Sequence, residues 1–156
     1  MVKINNISVN GLRGVRHNLD LELKGKAALL YGDNGSGKSS LSDVLEWFYY
    51  DKIDHLSGEE IGRKGYEAMR NIFLDDEDTG TLELGFTNGD LNSEKSIVLK
   101  NGNLKSQHTN KEDRFSDYIE SSQEENLILR YKELVTFVMY SKLDKLRALS
   151  EIIGYA

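Results

Sequence analysis

Gly32-Asp33-Asn34-Gly35-Ser36-Gly37-Lys38-Ser39 decides how this chain is read. The octet fits G-x-x-x-x-G-K-[ST], a loop whose backbone N–H groups cradle phosphate oxygens. Lys26-Ala27-Ala28-Leu29-Leu30-Tyr31 precedes it, an apolar run of strand length. Ser40-Leu41-Ser42-Asp43-Val44-Leu45-Glu46-Trp47-Phe48 follows, with apolar residues at helical spacing. Strand, glycine loop and helix together make the pattern credible as a site rather than a chance glycine-rich turn. The residue types suit the chemistry. Glycines let successive N–H groups turn inward as a nest for anions. The helix N-terminus adds unpaired N–H groups and a favourable dipole. Lys38 is the expected catalytic cation, reaching the β- and γ-phosphates, and the Ser39 hydroxyl is the expected Mg²⁺ ligand. Gly32, Asn34, Gly35, Ser36, Gly37 and Ser40 complete the expected phosphate contacts, and ATP and Mg²⁺ are the expected cofactors.

Composition narrows the class. With 156 residues there is enough chain for one domain with a real core. Hydrophobic residues at 38% and charged residues at 29% read as globular rather than disordered. No apolar run approaches the ~20 residues of a membrane span. Lys3, Asn5, Asn6 and Asn10 interrupt any signal-peptide pattern, so a cytoplasmic protein without membrane contact is expected. The absence of cysteine excludes disulfides and thiolate metal sites. A net charge of −6 does not by itself predict nucleic-acid binding.

Outward from the loop, Val2 to Val9 reads as a strand ended by the Asn10-Gly11 turn. In Asn18 to Lys24, Leu19, Leu21 and Leu23 alternate with Asp20 and Glu22, a half-buried strand. With the Lys26–Tyr31 strand close behind, there is no room for crossover helices, so part of the sheet must be antiparallel. The helix after the loop is expected to end near Tyr50, and Asp51 to Gly65 is polar and aperiodic. Tyr66 to Phe73 is a short helix or a strand, and Asp75-Asp76-Glu77-Asp78 reads as a solvated loop. Thr81 to Thr87 alternates through Leu82, Leu84 and Phe86. Ser96 to Lys100 and Asn103 to Gln107 flank the hairpin signal Asn101-Gly102. Lys111 to Ser121 reads as helix, Leu127-Ile128-Leu129 as buried, and Tyr131 to Tyr140 as apolar on one side. Ser141 is the expected N-cap of a last helix with the stripe Leu143, Leu146, Leu149, Ile152 and Ile153. His17, His55 and His108 read as solvated. Lys105, His108, Lys111 and Lys132 are candidates for a basic patch facing DNA.

Ile7-Ser8-Val9-Asn10-Gly11-Leu12-Arg13-Gly14 resembles the opening strand and turn of the SMC-like ATPases of the ABC class, AAA-type P-loop proteins that include double-strand-break repair and recombination ATPases. The loop through Ser40 looks like their form of the phosphate site. Leu129 to Val138, followed by Lys142 to Gly154, resembles their Q-loop and the helix leading into a coiled coil. The resemblance implies an α/β P-loop NTPase fold, an ABC-type head lobe with mixed and antiparallel sheets plus helices. It implies that Arg13 contacts the nucleotide. It also implies a C-terminal lobe of the same protein, a second head closing as a homodimer on ATP, a nuclease partner, and DNA as the target in repair, recombination or defence. Two departures stand out. Tyr131 occupies the apparent Q-loop position, where a phenol ligates Mg²⁺ poorly. No strand ends in Asp-Glu, and no serine-glycine-rich signature follows. Residues 1–156 are therefore expected to form a single N-terminal half of a head, ending where a coiled coil would start. The alternatives are a small nucleoside or metabolite kinase, for which Arg63 and Arg70 would serve a lid, and a non-catalytic nucleotide-binding assembly module.

Overall fold

The computed structural model describes residues 1–57, 68–125 and 127–153. The chain divides into two compact units, 1–125 and 126–156. The first is built on a five-stranded sheet in the order β2-β1-β3-β4-β5, with β1 at Ile4–Asn10, β2 at Leu19–Glu22, β3 at Thr79–Phe86, β4 at Ser93–Lys100 and β5 at Asn103–His108. Every neighbouring pair is antiparallel. Its helices are α1 (Lys38–Tyr50) and α2 (Asp113–Glu124).

Alternation places one row of side chains on the inner face. Val9 stands opposite both Leu19 and Leu82, Leu82 opposite Lys95, and Lys95 opposite His108. Leu41, Val44, Trp47 and Phe48 of α1 join Ile7, Val9, Leu82, Leu84 and Ile97 in one buried core. The β4–β5 hairpin turns at Asn101-Gly102, both with positive φ (53° and 74°), as the twist of a two-residue hairpin requires.

Most expected elements are present, and several differ. Lys26–Tyr31 belongs to no β-ladder among the described residues, and Leu29 and Tyr31 are 88% and 92% exposed. A strand needs a hydrogen-bonded neighbour, and none of the five strands pairs with this run. β4 begins three residues before the expected Ser96. Of Tyr66–Phe73, the described residues are 68–73: Ala68 is 3-10 helical, Arg70 makes a bridge to Leu12, and Ile72-Phe73 is a turn. Arg63 lies outside the described residues. The acidic run is a turn closed by the Asp78 N–H on the Asp75 carbonyl.

Lys95 is 1% exposed, and a lysine so buried needs partners. Its ammonium donates to the Trp47 and Phe48 carbonyls at 2.5 and 3.2 Å, pairs with Asp51 at 2.6 Å and lies 4.8 Å from the Trp47 ring centroid. It thereby caps the carbonyl end of α1, where orphan acceptors and the dipole favour a cation. Gln123 of α2 covers the Tyr49 carbonyl at 2.8 Å.

His108 is not solvated, contrary to expectation. Its ring meets Phe48 and Phe115 edge-on, with centroids 4.7 and 5.1 Å apart. Burial, helped by the Lys95 charge, lowers its pKa from 6.5 to about 4. The neutral ring is the form the fold accepts, so its contribution is complete above about pH 6.5 and is lost as pH falls towards about 4. Urea unfolding at about pH 7 and about pH 5 should show a smaller loss of stability for His108→Gln than for the wild type. Equal losses would place the proton uptake elsewhere.

The second unit holds α3 (Tyr131–Met139) and α4 (Lys142–Ile153). Ser141 caps α4 as expected, its Oγ accepting from the Asp144 N–H at 3.3 Å. Leu127 and Leu129 are exposed rather than buried, as are Leu143, Leu146 and Leu149. The side chains of Lys132, Ile152 and Ile153 lie outside the description, as does Gly154.

Candidate nucleotide site

The glycine loop runs directly into α1. Gly35 and Gly37 have φ of 87° and 88°, and nothing lies within 4 Å of a Cβ built at either. Glycine is therefore needed here for the left-handed backbone and not for space. Gly37 occupies the N-cap position without a side-chain cap, so the first-turn N–H groups of Lys38, Ser39 and Ser40 have no acceptor within the helix. Such an end binds anions.

Lys38 is drawn over the loop. Its Nζ donates to the Gly32 and Asp33 carbonyls, both at 2.7 Å, and to Ser36 Oγ at 3.2 Å. The ammonium thus sits in the bowl that the loop describes. Asn34 lies at the exposed turn of the loop, and Ser39 is exposed at the mouth. The Ser40 hydroxyl is engaged differently from expectation. It accepts the Gly14 N–H at 3.1 Å, tying the β1 turn to the first turn of α1.

That turn is unusually constrained. Arg13 adopts a φ of 48°, a conformation costing a non-glycine residue about 1–3 kcal/mol. Its N–H donates to the Met69 carbonyl at 2.7 Å, and its own carbonyl accepts from Asn71 Nδ2 at 2.6 Å. Its Nε pairs with Asp43 Oδ2 at 2.9 Å, and Nη1 donates to the Ala68 carbonyl at 3.3 Å. Arg13 is thus brought beside the start of α1 but anchored on Asp43, a contact the sequence reading missed. The signal was a buried-face aspartate at position 43 between Leu41 and Val44, a polar residue on the apolar side of the helix.

Asp43 has further acidic and imidazole company. Ligand-type atoms of Asp43, Glu46 and His55 lie within 4.8 Å of one another. His55 Nε2 is 3.6 Å from Asp43 Oδ1, and Glu46 Oε1 accepts the Asp54 N–H at 2.7 Å. With the Arg13 guanidinium already on Asp43, these residues make a charge network rather than an open cation site.

Of the expected basic patch, the Lys132 side chain lies outside the described residues, and His108 and Lys111 line one cavity. His108 is turned inward, while Lys105 and Lys111 are exposed.

A glycine loop of this form, opening a helix laid on a sheet, is the arrangement of a P-loop protein. A family model described as an AAA domain matches residues 6–153, and the chain belongs to that family of P-loop ATPase domains, whose members generally bind ATP and Mg²⁺. None of the curated proteins matches the chain. Lys38 and Ser39 fit that ligand pair by the chemistry of their donors, an ammonium for phosphate oxygens and a hydroxyl for Mg²⁺.

Proposed function

We propose that this chain is the N-terminal lobe of an SMC-like ATPase head, binding ATP–Mg²⁺ at Lys38 and Ser39 and acting on DNA in the complete assembly. The observation that carries the reading is the Lys26–Tyr31 run. It has strand composition and leads into the phosphate loop, yet it stands outside the sheet with Leu29 and Tyr31 exposed. An unpaired apolar strand at the entrance to a P-loop is completed by a further strand beside it. A C-terminal lobe would supply that strand, together with an acidic residue to polarise the attacking water. A second head would close over the γ-phosphate. Exposed Leu143, Leu146 and Leu149 on α4 agree with a helix that continues towards partners.

Phosphoryl transfer depends on positioning and charge, and this lobe supplies only the loop's part. The isolated chain is therefore expected to bind ATP but turn it over very slowly. Hydrolysis is to be measured for the chain alone and with the C-terminal lobe added, using Lys38→Ala as the blank. Turnover by the chain alone on the order of 1 per second or faster, abolished in Lys38→Ala, would mean that it is catalytically complete and would rule out the half-head reading.

A further inference from the structure

The turn between the Arg70 bridge and β3 carries two large apolar side chains outward. Ile72 and Phe73 are 87% and 65% exposed. Their backbone is nevertheless fixed from beneath. Asn71 is buried; its N–H donates to the Gly11 carbonyl at 3.0 Å and its Nδ2 to the Arg13 carbonyl at 2.6 Å. Its Oδ1 accepts the Phe73 N–H at 2.9 Å and its carbonyl the Leu74 N–H at 3.2 Å, so the asparagine side chain shapes the turn. Leu74 lies so close to Gly11 that a Cβ there would stand 2.7 Å from its Cδ1. Arg70 gathers the far side of the turn, donating to the Leu74 and Asp78 carbonyls, each at 3.2 Å, and to the Asp75 carbonyl. A loop free to collapse would tuck Ile72 and Phe73 out of water, whereas this one holds them there.

Charge decides what fits over them. Asp75, Asp76, Glu77 and Asp78 follow directly, and all four are exposed. The Arg16 guanidinium lies 5.3 Å from the Phe73 ring centroid, so one cation already rests on this face. A run of carboxylates repels nucleic-acid phosphates and anionic lipid headgroups and attracts ammonium and guanidinium groups. An aromatic and an aliphatic side chain standing beside a charged rim have the composition of a protein–protein anchor. We infer that the Ile72-Phe73 turn is a docking surface for a basic, amphipathic segment of a partner protein. Apolar side chains of that segment cover Ile72 and Phe73, and its lysine or arginine side chains meet the carboxylates at 75–78. Nothing in this contact involves the phosphate loop, so its test needs no nucleotide.

The probe is a fluorescent peptide of about 12 residues, lysine and leucine at helical spacing, titrated with the chain at about 0.1 M salt and read by anisotropy. The double variant Ile72→Ser/Phe73→Ser should bind it about tenfold more weakly than the wild type. Neutralising the rim with Asp75→Asn/Asp76→Asn/Glu77→Gln/Asp78→Asn should cost about as much. Both variants alter exposed side chains, so their melting should match the wild type. A peptide with serine in place of leucine should bind the wild type about tenfold more weakly and be indifferent to Ile72→Ser/Phe73→Ser. Asp117→Asn/Glu120→Gln/Glu124→Gln removes exposed carboxylates of α2 instead and should leave affinity within about twofold. An equal loss in that control would mean that the peptide follows net charge alone, and would overturn the inference. Full affinity in Ile72→Ser/Phe73→Ser would do the same. So would a wild-type chain that ignores the peptide but binds phosphatidylcholine vesicles through Ile72 and Phe73, because the turn would then be a lipid anchor.

Discussion

Replacing Lys38 with Ala should lower ATP affinity by about 100-fold or more while leaving the fold intact. The loop presents no other ammonium to the phosphates, and each charge-assisted hydrogen bond contributes about 1.5–3 kcal/mol. Two such bonds to the β- and γ-phosphates correspond to at least about 3 kcal/mol, or two decades in Kd. The ammonium is already placed over the loop by the Gly32 and Asp33 carbonyls, so binding exchanges these acceptors for phosphate oxygens with little reorganisation of the side chain. Those contacts are exposed, so losing them should change unfolding stability by no more than about 0.5 kcal/mol. Calorimetric titration with ATP–Mg²⁺, paired with a thermal melt, separates the two effects. Unchanged affinity in a folded Lys38→Ala protein would count against phosphate binding at this loop.

Lys95→Met should have the largest effect on stability, a loss of about 2–3 kcal/mol. Two terms oppose each other. Methionine relieves the desolvation of a buried ammonium, which favours the variant. Against this, the Phe48 carbonyl loses its Lys95 donor, and the Trp47 carbonyl keeps only the Asp51 N–H. Each buried carbonyl left short costs about 1–3 kcal/mol, and the α1 dipole loses its cation. Asp51 is 60% exposed on its side chain and can return to water, so its loss of a partner adds little. The carbonyls decide the sign. The midpoint of thermal unfolding should fall by roughly 4–12 °C. The same substitution removes a positive charge facing His108, so the imidazole pKa should rise from its lowered position. A melt within error of wild type would show that water or a neighbouring donor caps α1 instead.

These two lysines illustrate what the sequence discloses. Lys38 is legible because its chemistry is local: eight consecutive residues specify loop, cation and helix start. α1 and β3 are legible for the same reason, their periodicity being set by one face of packing, and β1 is legible from its β-branched content and the Asn10-Gly11 turn. Lys95 and its partners are not. Position 95 reads as a polar residue at the edge of a strand, and only the register, Lys95 across from His108 and Leu82, turns it inward. The hidden lysine also explains why β4 looked three residues shorter in the sequence. His108 was misread with it, because its neighbours in sequence are polar while its neighbours in space are Phe48 and Phe115. Arg13 and Asp43 are 30 positions apart, beyond any local pattern. The Lys26–Tyr31 run fails in the opposite direction. Its composition is right for a strand, but pairing is a property of two segments, and among the described residues the second is not there.

α1 is fastened at both ends to the same sheet. At its start, Ser40 and Asp43 hold the turn that follows β1; at its finish, Lys95 of β4 grips the last carbonyls. A rod pinned at two points cannot slide or swivel on its support without breaking one of these polar contacts. It behaves as a strut. A push on the glycine loop is carried through α1 into the strands beneath, and little of it is absorbed by the helix shifting in place. Stiffness at this one helix makes the phosphate site and the sheet move as a single piece.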